Sequence, residues 1–355
     1  MEQQNKKIHL EVLRIICISL VIFNHTAPYG YLAFIGETNP FLYYIYMFFS
    51  ILCKVAVPIF FMISGALLLG KQESIKVILK KRVFRMLIVL LAVSLLYYIG
   101  LTKIEDQSFF GFFSTVYTST ATTSLWYLYA YIGFLLMLPF LRAIVVSIKE
   151  KDYAYLFIIH AFFTIVFTVL DKFLFIDGHN GFMSHVFFLE SSIFYPLMGY
   201  YIENVMDVNR FKKNNYCLFC GLSLFSIIAT CAISKIYFNV YQHNFDNYIY
   251  ESCFNVLIFI PAISIFFVFK GIVKINSNST LGRVICQLGR AVFGVYLIEK
   301  LCRLVVSPII EIIKPIVGRF FSSIVMVFAV MIMGFSMVLI LKNIPFLKKI
   351  VNLFI

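Results

Sequence analysis

Residues 14–25 read RIICISLVIFNH, an arginine and a histidine separated by ten residues with almost nothing polar among them. A segment of that composition is built to sit in hydrocarbon, and the rest of the chain agrees. Of 355 residues, 61% are hydrophobic, 18% aromatic and only 13% charged, far from the roughly one quarter charged of a soluble domain. Runs such as Leu87–Leu101 and Ile324–Leu341, with their flanks, reach the roughly 20 residues needed to cross the hydrocarbon core. Lipid offers no partner to a bare peptide group, and the runs lack the period-two alternation of a barrel strand, so they should be helices. The chain reads as an all-α integral membrane protein.

Ten spanning helices are expected, at approximately 8–28, 41–69, 83–101, 124–146, 153–174, 186–206, 216–236, 251–270, 291–312 and 320–341. Basic residues test the arrangement, because loops on the cytoplasmic side collect lysine and arginine. Alternate loops do so: Lys6 and Lys7; Lys71 to Arg85; Arg142, Lys149 and Lys151; Arg210, Lys212 and Lys213; Lys270 to Arg290; and Lys342, Lys348 and Lys349 hold 21 of the 30. Both termini are therefore expected in the cytoplasm. The net charge of +13 follows from this topology and does not imply nucleic-acid binding. The lysines before the first apolar stretch resemble a signal peptide, but no small-residue cleavage site follows, so the first helix is expected to be retained. One transmembrane domain over 1–355 is expected, with no appended soluble domain. The eight cysteines fall mostly in apolar segments and suggest no disulfide framework, and the Cys217/Cys220 pair reads as helix packing.

Ionisable groups within such helices are costly and mark polar interiors. In the first helix, eleven residues return to within about 20° of a whole number of turns, so Arg14 and His25 share a face about 16 Å apart along the axis. Glu11 lies one turn before Arg14 and can pair with it. With the N-terminus inside, Arg14 belongs near the cytoplasmic surface and His25 in the outer half. Either could also be ordinary, Arg14 reaching the inner headgroups and His25 bonding a neighbouring helix. Arg82 and Arg85 in KKRVFR share a face and suit either lipid phosphates or a nucleotide-bearing ligand, since guanidinium forks match phosphates. Lys54 in CKVAVPIFFMISGALLL needs a partner or a wet cavity; Pro58 should bend that helix, and Ser64 with Gly65 permits close helix approach. In FGVYLIEKLCR, Glu299 and Arg303 stand four apart and suit an ion pair. By depth, Glu190 matches His25 better than Glu299 does, if Glu299 is only about 12 Å from the inner face. Trp126, Tyr127 and Tyr129 could stack on a sugar or form an aromatic belt. No metal-ligand cluster, phosphate-cradling glycine loop or nucleophile elbow is present, and His9, His160, His179, His185 and His243 read as interface or loop residues.

On these residues the chain resembles acyltransferase family 3, the bacterial membrane O-acyltransferases of surface polysaccharides. The likeness rests on LEVLRIICISLVIFNH, VAVPIFFMISGALLL, the RVFR arginines and LWYLYAYIGFLLMLPFLR in that order, with FGVYLIEKL similar to the family's late YLIH stretch. The resemblance implies about ten helices in the bacterial inner membrane, acetyl-CoA as cytoplasmic acyl donor, no metal, and a glycan acceptor outside. It implies a catalytic role for His25, and donor-binding roles for Arg14, Arg82 and Arg85. Glu299 stands where the family often has histidine.

An enzyme of this kind would bind the donor's phosphates through those arginines and use His25 as a general base, or as an acyl carrier. Glu190 is the first choice to orient His25, because Glu11 lies about 21 Å below it. Trp126, Tyr127 and Lys54 are candidates for the acceptor side; Glu11, Glu299 and Arg303 keep structural or open roles. Membrane lipids and polysaccharide-assembly proteins are the expected partners. The rival reading is a transporter or flippase for a glycan or lipid-linked precursor, which should carry internal repeats and paired discontinuous helices. Neither is visible.

Overall fold

The computed structural model describes residues 7–173, 191–240, 254–255 and 257–344. Among them all regular structure is helical. The main helices are α1 (Ile8–Asn24), α2 (Pro40–Leu52), α3 (Ala56–Leu68), α4 (Ile75–Ile78), α5 (Phe84–Leu101), α6 (Phe109–Thr118), α7 (Trp126–Ser147), α8 (Glu150–Phe173), α9 (Ser191–Tyr200), α10 (Lys213–Val240), α11 (Phe259–Ile272), α12 (Thr280–Val317) and α13 (Arg319–Asn343). Five stretches are long and apolar enough to cross a membrane among the described residues: Pro40–Leu68, Ile75–Leu101, Thr123–Ser147, Lys213–Asn239 and Arg319–Asn343. The protein is thus an all-helical, multi-pass membrane protein.

Several elements differ from expectation, each for a local reason. The expected 41–69 helix is two pieces joined by a 3-10 turn at Cys53–Val55. Pro58 has no N–H for the carbonyl of Lys54, which loosens the ladder at that turn. The expected 291–312 helix runs from Thr280 to Val317, because Ser279 caps it through the backbone N–H of Gly282 at 3.0 Å, and Arg283 and Arg290 continue it instead of forming a loop. The 102–123 loop contains α6, opened by a Ser108 cap on the Gly111 N–H, with Phe109, Phe110 and Tyr117 exposed on its surface. Arg82 falls in a π-helical turn, Leu79–Val83, that feeds α5. Such one-residue expansions recur at functional sites.

α1 is the hub of the bundle, packed against α3, α12, α13 and the 3-10 turn at Cys53–Val55. Leu10, Leu13, Cys17, Ile18 and Ile22 are each at most 1% exposed, which leaves its other face to Arg14, Val21 and His25. The closest crossing joins α3 and α9. A methyl group at Gly65 would overlap the backbone of Pro196, and one at Gly199 would overlap the backbone of Met62. The two glycines let backbone meet backbone, as the Ser64–Gly65 reading anticipated. Gly289 of α12 makes the same allowance for the carboxylate of Glu11.

Candidate active site

α1 stops at His25, whose backbone N–H closes onto Val21 and Ile22 at 3.1 Å. Thr26 ties back to the Phe23 carbonyl through its hydroxyl at 2.7 Å, and Ala27 takes a left-handed φ of 46°, an uncommon conformation for a residue with a side chain. The last carbonyls of a helix are its negative end, and that of His25 accepts a 2.6 Å hydrogen bond from Nη1 of Arg303.

The same arginine reaches the group beside the imidazole. Glu299, in α12, is fully buried; its Oε2 accepts from Arg303 Nε at 2.7 Å and its Oε1 from the Ser124 hydroxyl at 2.8 Å. Oε1 also stands 2.9 Å from Nδ1 of His25. The approach is at hydrogen-bond distance but off the N–H direction, so Nδ1 makes no aligned bond in this state. Tyr296 fixes the Ser124 backbone by donating to its carbonyl at 2.6 Å. The arrangement is an imidazole backed by a buried carboxylate, which is in turn held by a guanidinium and a hydroxyl.

His25 opens on one continuous cavity of about 800 Å³, with Glu299 buried behind it. Its wall carries Arg14, Lys81, Arg82, Arg85 and Arg290, together with Ser64, Tyr127, Tyr131, Phe293, Tyr296, Lys54, Asn24, His25, Ser124 and Trp126, and along α1 Arg14 and His25 stand about 16 Å apart. No acidic side chain lines it among the described residues. Cations gathered in a low-dielectric cleft focus an attractive field on polyanions. Several are fixed in place. Both carboxylate oxygens of Glu11 accept from Arg14 Nη1, at 2.9 and 3.0 Å. Glu73, in the loop after α3, takes Arg82 as a fork, Nε at 3.0 Å and Nη2 at 2.7 Å. Glu73 also takes Arg142 Nη2 at 2.9 Å, while Arg142 caps α3 with two bonds to the Leu68 carbonyl at 3.1 and 2.9 Å. The hydrogen bond from Arg82, more than anything else, holds the Glu73 carboxyl down to about 2.

The sequence brought most of these residues forward, and the structure gathers Arg14, His25, Lys54, Arg82, Arg85, Trp126 and Tyr127 around one cavity. Lys54 Nζ stands 4.4 Å above the Tyr31 ring, and the Tyr127 ring packs on Phe61, Tyr131 and Tyr296. The i, i+4 pair of Glu299 and Arg303 and the i, i+3 pair of Glu11 and Arg14 both form. The depth placed on Glu299 is corrected. Counted from the true start of α12 at Thr280 it lies about 28 Å along the helix, close to the roughly 25 Å of His25 along α1, and it is the carboxylate beside His25. Glu190 lies outside the described residues, as do His179, His185 and His243. Cys217 and Cys220 are exposed and free on α10 instead of packed. In the sequence Arg290 and Arg142 read as topology charges, while Glu73 and Ser124 carry no signal of their own, a lone serine before a helix reading as a cap. His160, read as an interface residue, is on the cavity wall.

No curated protein and no solved structure matches the chain. The family model for acyltransferase family 3, described as an acyltransferase domain, matches residues 8–342. That span takes in α1 with its Arg14–His25 face and α12 with Glu299, and with them every described wall of the cavity; the chain belongs to acyltransferase family 3.

Proposed function

We propose that this membrane acyltransferase moves an acetyl group from cytoplasmic acetyl-CoA to a hydroxyl of a cell-surface or lipid-linked glycan in the bacterial inner membrane. The observation that carries the reading is the continuity of the cavity from the arginine cluster to the His25–Glu299 pair. A CoA thioester is a polyanion on a long flexible arm, and a site for it needs cations at one end and a reactive group one arm's length away. The roughly 16 Å from Arg14 to His25 along α1 suits that arm. Ten spans with both termini inside would put the arginine end at the cytoplasmic face, where the donor is made. Membership of an acyltransferase family favours this reading over a transporter.

In the transfer, Arg14, Arg82, Arg85 and Arg290 hold the donor phosphates, Arg82 with the guanidinium edge that Glu73 leaves. His25, with Nδ1 turned to Glu299, presents Nε2 to the acceptor. Nε2 takes the hydroxyl proton as that oxygen attacks the thioester carbonyl. The Glu299 carboxylate stabilises the imidazolium so formed. Collapse of the tetrahedral intermediate breaks the carbon–sulfur bond, and the imidazolium returns the proton to the departing CoA thiolate. Trp126, Tyr127 and Lys54 lie where the acceptor meets His25.

The experiment is surface-glycan O-acetylation in cells carrying His25→Ala at wild-type protein levels. Loss of O-acetyl groups is expected; unchanged acetylation removes His25 as the base. In parallel, CoA binding to purified protein should weaken when Arg82 and Arg85 are both alanine, and wild-type affinity would remove the donor site.

A further inference from the structure

One stretch of the cavity wall, termed its second arm, is not accounted for by transfer chemistry at His25. It is supplied by α8, α9 and the residues leading into α11: His160, Thr164, Ser191, Tyr195, Asn255 and Phe259. None of the arginines belongs to it. His160 stands about 15 Å along α8 from Glu150, and α8 follows directly on the end of α7 that carries Arg142, so the arm is displaced from the cationic end toward the level of His25.

His160 is 5% exposed. Its ring lies flat on Phe194, centroids 3.5 Å apart and planes within 3°, and the Phe259 ring meets it edge-on at 5.3 Å. Its Nδ1 is buried without a hydrogen-bond partner among the described residues. A buried nitrogen left without a partner is costly, and a phenylalanine would make the same stack at no such cost. A buried imidazole on a cavity wall is explained when a ligand completes its hydrogen bonding.

The other groups define the ligand. Thr164, Ser191, Tyr195 and Asn255 offer hydroxyl and amide groups, Phe259 and Tyr195 offer ring surface, and the arm carries no formal charge among the described residues. Apolar faces combined with neutral donors and acceptors match a pyranose ring, whose C–H face stacks while its hydroxyls bond. We propose that this arm is the acceptor subsite, that it takes an uncharged, hydroxyl-rich sugar ring, and that His160 binds one of its hydroxyls. The inference rests on the acetyl-transfer reading and extends it by assigning donor and acceptor to different arms that meet at His25.

The test uses full-length protein in lipid nanodiscs, radiolabelled acetyl-CoA, and surface polysaccharide from the source cells stripped of O-acetyl groups by mild alkali. His160→Phe keeps the stack and removes the nitrogens; it should raise KM for the polysaccharide about tenfold, the equivalent of 1.4 kcal/mol. KM for acetyl-CoA and acceptor-independent thioester hydrolysis should stay at wild-type values, and His160→Gln should restore most of the loss. An unchanged polysaccharide KM in His160→Phe, or an equal rise in both KM values, overturns the assignment. Should His160→Phe not accumulate, His160→Leu carries the same comparison. If wild-type protein transfers no acetyl to the polysaccharide, the acetyl-transfer reading fails, and the subsite is then judged by binding alone. Trp126 is the single tryptophan of the chain and lines the cavity, so its fluorescence reports occupancy. A saturable change with the same polysaccharide that weakens in His160→Phe supports the subsite, and no change, or the same titration in both proteins, overturns it.

Discussion

Replacing Glu299 with glutamine tests the link between the buried carboxylate and the imidazole with almost no change of shape. Oε2 accepts from a guanidinium and Oε1 faces Nδ1 of His25 while accepting from Ser124. An amide has one acceptor end. Turned toward Arg303, it leaves its NH₂ on His25 Nδ1, which must then be the acceptor nitrogen, and the ring proton moves to Nε2, the atom required as base. Turned the other way, it sets NH₂ against Arg303 and leaves a buried guanidinium unpaired, the costlier choice. The variant therefore holds His25 in the wrong tautomer. It also loses the carboxylate's attraction for the imidazolium, about 4 kcal/mol for unit charges 4 Å apart at an effective dielectric of 20. At about 1.36 kcal/mol per tenfold, that predicts a fall in kcat of about a thousandfold, about tenfold short of the loss seen when the orienting carboxylate of a serine-protease triad is made an amide. The assay is transfer of labelled acetyl by purified protein in nanodiscs, with CoA binding and gel filtration as controls. Folded Glu299→Gln protein that binds CoA normally and keeps kcat within about threefold of wild type would refute the assignment.

Other residues give independent outcomes. Arg290→Ala should raise KM for acetyl-CoA about tenfold with little effect on kcat, the expectation for one lost phosphate contact of about 1.4 kcal/mol; an unchanged donor KM would take Arg290 out of the donor site. Glu73, held down to about 2 mainly by Arg82, has a lower pKa folded than unfolded. Its contribution is present above its unfolded value, about 4.5, and is lost as pH falls toward 2. The melting-temperature gap between wild type and Glu73→Gln should therefore be constant near neutrality and close below about pH 4, and a gap independent of pH would refute the pairing. Gly199→Ala drives a methyl into the Met62 backbone at the α3–α9 crossing, which should cost at least about 1–3 kcal/mol of overpacking; detergent thermal melts at wild-type stability would mean the helices cross further apart.

What the sequence made legible divides along a physical line. Features that depend on one helix are local: the shared face of Arg14 and His25, the Glu11–Arg14 and Glu299–Arg303 pairs, the loosened ladder before Pro58 and the close approach at Gly65 are all set by residue spacing, and all are present. Features that depend on where one helix stands against another are not, since spacing gives an angle and a rise but no origin. The depth of Glu299 failed for that reason. Arg283 and Arg290 carry the charge of a cytoplasmic flank, so the span seemed to begin after them, and an eleven-residue displacement of the origin is about 16 Å of depth. One observation reconciles the two readings. Arg290 lies on the cavity wall, so a charge that counts toward the topological bias also faces the interior of the protein. A basic residue that faces a cavity is indistinguishable in sequence from one that faces headgroups, and in a protein that draws a phosphate-bearing donor from the cytoplasm both belong at the same depth. Charge bias therefore does not separate basic residues that face a cavity from those that face headgroups, and Arg290→Ala tests which of the two Arg290 is under the proposed donor site, because a headgroup anchor would leave the donor KM unmoved.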